Sequence, residues 1–411
     1  MLRVKIEIWQ IMLCGALAVL ILGQISPLSA LHAINFDVII FLSGAFVVGE
    51  ALSVSGALNP FSMRFFKNKY STCTVFLLLI FSAGILSAFL MNDTVAVIGT
   101  FFVLSLSKRL NIPAEMLLLA LCFSVTTGSV TSPVGNPQNL LIAAASGMQN
   151  PFATFSVYLM APTLLSLLLI YPVLRIFYPC SLYQAKSLYE KEAFSKKGSE
   201  DNNCLPKIYD KNLARIAVLS LLILVIMIIL KIAAGFGGYS EFFPLTAIAV
   251  FAALPVIVLS KKRVSVIKGI DWHTLVFFAA MFVLMQSVWD AGWIQGLFSD
   301  SGNLLSSAGG IFAAGIIVSQ FISNVPFVAL FLPLIEIAGA PLNVYMALAA
   351  GSTLAGNFLL FGAASNIIIV QNAEKKGEKI GFLRFARVGI PLTIIQSCVY
   401  IAWLFFIPKF F

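Results

Sequence analysis

The chain has 411 residues, 60% of them hydrophobic and 10% charged, with 26 Lys and Arg against 17 Asp and Glu for a net charge of +9. Its mean hydropathy of +0.99 excludes a water-soluble domain. The basic residues lie in short segments between long apolar runs and form no single basic face, which excludes nucleic acid as the partner and points to the lipid bilayer.

A membrane-spanning helix needs about 20 apolar residues, because roughly 30 Å of hydrocarbon is crossed at ~1.5 Å per residue. The first candidate is 7–24. Its basic start, MLRVKIEIWQ, is shared with signal peptides, but the apolar run is long and PLSALHA is a weak cleavage site, so residues 1–35 are predicted to be a retained helix and an outer loop. A second span follows at 36–58. The next two apolar segments are interrupted, 72–107 at Asn92 and 115–147 around Ser132-Pro-Val-Gly-Asn-Pro. A span at 154–178 leads into 179–211, where YQAKSLYEKEAFSKKGSEDNNCLPKIYDK is too polar for a domain and reads as a connector. Two spans, 212–232 and 241–260, belong to an inserted unit, 212–270. Then come a span at 272–294, interrupted segments at 305–339 and 343–373, and a last span at 382–408.

If 72–107 and 305–339 turn back as re-entrant hairpins while 115–147 and 343–373 each cross once as broken helices, the seven direct spans and these two make nine crossings. With the N-terminus inside, 24 of the 26 Lys and Arg then fall on the cytoplasmic side, leaving Lys231 and Lys409 outside. The interruptions recur in order. MNDT (91–94) precedes TTGSVTSPVGNPQNLLI (126–142), and ISNVP (322–326) precedes AGSTLAGNFLLFGAASNIII (350–369). Gly135 and Asn139 register with Gly362 and Asn366, Pro162 with Pro391, and Phe46, Glu50 and Gly56 with Phe282, Gln286 and Gly292. Two homologous halves, 36–178 and 271–411, are therefore expected. Their starts are separated by an odd number of crossings, so the halves are inverted in the membrane, a plan common among secondary transporters.

Non-helical backbone at membrane depth must be buried in protein or line a wet cavity, and each break exposes amides or carbonyls that can hold ions. Half-helices are expected to begin near Asp93, Val325, Pro137 and Ser365 and to meet at the midplane. Asp93 is the only charge between Ser71 and Ser107, and an acid in hydrocarbon costs ~2.5–3.5 kcal/mol on insertion scales, so it is a candidate coupling group. Alone, Asn92-Asp93-Thr94 also fits a plain helix cap worth ~1 kcal/mol, and Asn324-Val-Pro326 a helix start. Glu50 is expected deep between helices, in a packing role or as the second coupling candidate. Asp290 is expected to reach water at the outer surface, and Asp37 and Asp271 to begin helices at opposite surfaces. The six cysteines, at 14, 73, 122, 180, 204 and 398, have neither metal nor disulfide spacing.

Together these residues resemble the ion transporter superfamily that includes arsenite permeases, sodium/proton antiporters, divalent anion/sodium symporters and citrate-transporter-like proteins. Asn92-Asp93 is similar to the arsenite-permease pattern, Ser323-Asn324 to the Ser-Asn-Thr hairpin tips of dicarboxylate symporters, and Ser132-Pro-Val-Gly-Asn-Pro-Gln-Asn139 to the broken helix after the first hairpin. Met91 and Pro326 stand where those symporters carry hydroxyls. The resemblance implies an all-α polytopic elevator-type transporter, usually a homodimer, in the cytoplasmic membrane. It implies contacts to substrate or coupling ion from Asn92, Thr94, Asn324 and Asn366, with Gly135 and Gly362 admitting backbone. Asp93, Ser132, Asn136, Asn139, Ser323 and Ser365 complete the expected site. No organic cofactor or resident metal is expected, only H⁺ or Na⁺ as coupling ion, with Na⁺ at the hairpin tips. No Lys or Arg is predicted in the membrane core, so an anion would rest on helix amides and a bound cation, which disfavours a highly charged substrate. The function read here is coupled transport of a small anion or neutral oxyacid. Sodium–proton antiport is the alternative within the superfamily. A channel ranks behind it, and so does an intramembrane enzyme, for which no HExxH or GxSxG is present.

Overall fold

The structure is a computed structural model and describes residues 7–57, 71–110, 112–179, 209–239, 242–298 and 305–406. Most of the connector 179–211 lies outside the described residues. Eighteen α-helices carry nearly all of the described chain, with no strand among the described residues. In order they are α1 (Ile8–Ile21), α2 (Pro27–Ala33), α3 (Phe36–Ser55), α4 (Thr72–Leu90), α5 (Asn92–Leu110), α6 (Ala114–Ser129), α7 (Pro137–Ala145), α8 (Pro151–Phe177), α9 (Lys211–Phe236), α10 (Leu245–Leu259), α11 (Arg263–Gly269), α12 (Trp272–Asp290), α13 (Trp293–Phe298), α14 (Ala308–Ile322), α15 (Asn324–Ile337), α16 (Leu342–Phe358), α17 (Ala364–Glu374) and α18 (Phe382–Phe406).

Among the described residues six helices are long and apolar enough to cross a membrane: α3, α4, α8, α9, α12 and α18. Two predicted spans are shorter than expected. α1 ends at Ile21, where Gly23 takes φ 70°, and α10 starts only after its N-cap, Pro244. Conversely, α4 is 19 residues long, enough to cross by itself, although the sequence suggests one arm of a hairpin. The breaks fall where expected, for α5, α15, α7 and α17 begin at Asn92, Asn324, Pro137 and Ala364.

Helix packing repeats in two sets. α4 packs on α5, α6 and α8 as α14 packs on α15, α16 and α18; α6 meets α8 as α16 meets α18; and α3 touches α5 as α12 touches α15. Across the sets, α5 packs along α17 and α15 along α7, while α6 meets α16 and α8 meets α18. α9, α10 and α11 cover α3, and α1 and α2 cover α12, where Trp9 stacks on His273 at 4.9 Å. Glycine allows the tightest crossing, since a Cβ on Gly128 of α6 would lie 2.2 Å from the Gly84 carbonyl of α4, and one on Gly351 of α16 would lie 2.6 Å from the Phe312 carbonyl of α14. α6 is buried on every side and α16 nearly so, which makes this pair the centre of the molecule.

The helix ends on the charged surfaces follow ordinary capping chemistry. Asp271 caps α12 by accepting from the Thr274 amide at 3.0 Å, and Asn35 caps α3 above Asp37. Asp290 is exposed and accepts from Gln286 Nε2 at 2.8 Å. Arg384 at the start of α18 pairs with Glu115 of α6 at 2.7 Å.

Candidate functional site

Each of two helix pairs is joined at a single residue. Met91 (φ 63°, ψ 143°) joins α4 to α5 and Ser323 (φ 71°, ψ 162°) joins α14 to α15, and among the described residues these are the two non-glycine positions with positive φ. This region of backbone is nearly glycine-only and costs ~1–3 kcal/mol where another residue holds it, a strain that clusters at ligand sites. Ser323 is exposed, so Ser323→Gly removes strain without opening a cavity. That variant is expected to melt higher by the equivalent of about 1 kcal/mol, and a lower melting temperature would show that the tip is unstrained.

At the first tip the Asn92 amide donates to the Gly135 carbonyl at 2.8 Å, which ties the hairpin to the loop between α6 and α7. Asn92 Oδ1 accepts from the Asp93 amide at 2.9 Å. Asp93 Oδ1 is buried and has no hydrogen-bond partner among the described residues. Thr94 packs against α3, where a Cβ on Gly49 would lie 2.6 Å from Thr94 Oγ1. Glu50, the next residue on α3, is half-buried, and its carboxylate lies against Gly269 at the end of α11. The sequence places Glu50 deep between helices; the structure sets it beside the short α11 segment that precedes Asp271.

The loop between α6 and α7 is saturated with internal hydrogen bonds. Asn136 caps α7 through the Asn139 amide (2.9 Å), and Asn139 Nδ2 donates to the carbonyls of Ser129 (3.1 Å) and Ser132 (3.1 Å). Ser132 Oγ accepts from the Val134 amide at 3.2 Å. Thr353 of α16 closes the set: its Oγ1 accepts from Asn136 Nδ2 (3.1 Å) and Gln138 Nε2 (3.3 Å) and donates to Asn139 Oδ1 (3.3 Å). Gly135 is required by the chain's own backbone, since a Cβ there would lie 2.2 Å from the Ser129 carbonyl, and Gly362 repeats this with 2.5 Å to the Ala355 carbonyl. Thr353→Val keeps the volume and strands Gln138 Nε2 and Asn139 Oδ1. Each stranded buried group costs about 1–3 kcal/mol, so a loss of about 2–4 kcal/mol is expected in chemical denaturation, with Thr353→Ser restoring most of it.

The loop before α17 contrasts with this. Asn366 Nδ2 donates to the Gly356 carbonyl at 2.6 Å, but Asn366 Oδ1 and Ser365 Oγ are buried with no partner. Gln320 of α14 donates to the Ala355 carbonyl at 2.9 Å while its Oε1, also unpartnered, faces Gly362. Thr126 of α6 packs against Gly356 with its Oγ1 unpartnered. At the second tip Asn324 Oδ1 is unpartnered as well. No hydrogen bond among the described residues joins Asn92 to Asn324. α5 and α17 pack against each other, and Lys376, just past α17, sits over the Phe101 ring of α5 at 5.9 Å.

Buried polar atoms in native proteins are almost always paired, so this group of unpaired oxygens around Gly356 and Gly362 is open to an external partner, a water or a solute. Oxygen acceptors without basic neighbours suit a cation or a hydrogen-bonding solute. Thr126, Gln138, Gln320 and Thr353 are absent from the residues singled out in the sequence. Thr126 and Thr353 were within reach, for each stands 13 residues before its repeat asparagine, Asn139 or Asn366. Gln320 has Ala88 at the matching position of the first hairpin, so the repeat holds no signal for it.

Comparison with known proteins agrees with this architecture. The citrate transporter family CitMHS matches residues 1–340. An uncharacterized transporter of Mycobacterium tuberculosis is 24% identical over 409 residues, covering 93% of this chain and 90% of the relative. The P protein of Mus musculus is 24% identical over 452 residues, covering 90% of this chain and 54% of the longer relative. Among solved structures, the Alcanivorax borkumensis YdaH transporter superposes with a TM-score of 0.60 at 13% identity, covering 98% of this chain and 99% of that one. MtrF of Neisseria gonorrhoeae, described with a class of antimetabolite efflux pumps, gives 0.54 at 12% identity over 91% of this chain and 81% of that one. At such identities the two structures speak to the fold alone. The chain belongs to the citrate transporter family CitMHS and is a multi-pass membrane transporter.

Proposed function

We propose that this transporter moves a small anion or neutral oxyacid across the cytoplasmic membrane, with carboxylates of the citrate class ahead of arsenite and inorganic anions, in exchange or symport with H⁺ or Na⁺. The observation that carries the reading is the set of buried, unpartnered oxygens of Thr126, Gln320, Ser365 and Asn366, together with the unpartnered Asn324 oxygen at the second of two strained helix junctions. The oxygens offer a place for Na⁺, and the amides at the starts of α5, α15 and α17 offer one for an anion. Neither tip nor loop carries a Lys or Arg, so a polyvalent anion needs a co-bound cation. The repeated packing supports two inverted repeats, 36–178 and 271–411, that form a moving unit carried past the remaining helices in an elevator motion, within a homodimer. Sodium–proton antiport is the second reading, favoured by the unpartnered Asp93 oxygen.

A thermal-shift screen of the purified protein tests the substrate. Citrate or a related carboxylate with Na⁺ or a divalent cation is expected to raise the melting temperature, because a ligand that binds only the folded state stabilises it. A shift with Na⁺ alone and none with any anion or arsenite would move the assignment to antiport. The inverted arrangement has its own test. A reporter fused after Gly198 is expected in the cytoplasm and one inserted after Gly302 outside, both positions lying outside the described residues. Finding both on one side would overturn the inversion.

A further inference from the structure

A cavity of about 400 Å³ opens at the start of α9, lined by Ala57, Lys211, Ala214, Arg215 and Val218. Tyr209 holds this corner together by donating its amide to the Ser55 carbonyl at 3.1 Å, at the end of α3. Lys211 and Arg215 are both exposed, and neither pairs with a carboxylate among the described residues. The adjacent acid, Asp210, is occupied: it caps α9 through the Asn212 and Leu213 amides and pairs with Lys262 at 2.9 Å. The Leu213 amide first, and Lys262 next, hold its carboxyl below the ordinary aspartate range. Among the described residues no acid compensates the two positive charges at this cavity.

The face of α9 continues as an apolar track. Lys211, Arg215, Val218, Leu222 and Ile226 fall within about 80° of one another at ~100° per residue. Beyond the charges this face is bare, with Val218 40%, Leu222 54% and Ile226 53% exposed. From Arg215 to Ile226 the helix rises ~16 Å, about half of the ~30 Å hydrocarbon thickness and so close to the reach of one acyl chain. We infer that this cavity and track bind one anionic phospholipid, with its phosphate on Lys211 and Arg215 and an acyl chain along Val218, Leu222 and Ile226. Charge complementarity selects the lipid, since a basic pocket at the end of a membrane helix attracts acidic headgroups.

The test is native mass spectrometry of the full-length protein released from nanodiscs of mixed phosphatidylglycerol and phosphatidylcholine. Wild type is expected to retain phosphatidylglycerol selectively. Lys211→Gln with Arg215→Gln is expected to lower that retention roughly tenfold, while Lys375→Gln with Lys376→Gln, at another exposed basic site, leaves it unchanged. Val218→Trp, which blocks the track at an exposed position, is expected to lower retention with both charges kept. Equal retention of the two lipids, or unchanged phosphatidylglycerol in the Lys211/Arg215 variant, would overturn the proposal. So would full displacement by millimolar inorganic phosphate, which would mark a free-anion site. A loss of dimer in Val218→Trp with lipid retained would assign the face to a second copy of the chain.

Discussion

Asp93→Asn is expected to leave substrate binding and exchange intact while abolishing accumulation driven by a pH or Na⁺ gradient. The side chain keeps its size and hydrogen-bonding capacity, so the fold has no reason to change. What disappears is the charge. In the structure Asp93 Oδ1 is buried without a partner, and no basic side chain among the described residues pairs with it. A half-buried carboxylate with one oxygen cut off from water favours the uptake of a proton or a cation. If it also lies beside an anion, its neutralisation and the anion's binding favour each other, which is thermodynamic coupling. The variant is a permanently neutral Asp93, so substrate binds without the ion and the gradient has nothing to act on. Accumulation at the wild-type level in proteoliposomes would remove Asp93 from the coupling step. Glu50 would be next, through its place between Gly269 and the Gly49–Thr94 contact.

Asn324→Ala is expected to abolish uptake with almost no loss of stability. This combination separates a binding group from a structural one. Asn324 opens α15 and is buried, yet its Oδ1 makes no hydrogen bond to the protein, so truncation breaks no native bond of that oxygen. Asn92→Ala should abolish uptake too, at a stability cost of about 1 kcal/mol, because Asn92 Oδ1 accepts from the Asp93 amide. Vesicle uptake and thermal melting, measured on both variants, decide the matter. Normal uptake in Asn324→Ala would take the second tip out of the site, and a large drop in melting temperature would make it a packing residue.

Much of the architecture is legible in the sequence by itself. Hydrocarbon imposes a strong length and polarity filter, so spans, breaks and helix starts at Asn92, Pro137 and Asn324 follow from where apolar runs admit Asn, Pro and Gly. The recurring order of the breaks is legible for the same reason, since few residue types serve at a break and their order is easily matched. Tertiary structure alone decided which half of the candidate site is closed. Asn139 and Asn366 look equivalent in sequence, but Thr353 reaches Asn139 from more than 200 residues away and saturates it, while the matching Thr126 leaves Asn366 Oδ1 open. Gln320 enters only through the α14–α16 crossing that sets it beside Gly362. The strained φ at Met91 and Ser323 is equally invisible in sequence, because neither residue type announces a left-handed turn. Hydrogen-bond satisfaction depends on atoms brought together from distant segments, and local pattern has no access to it.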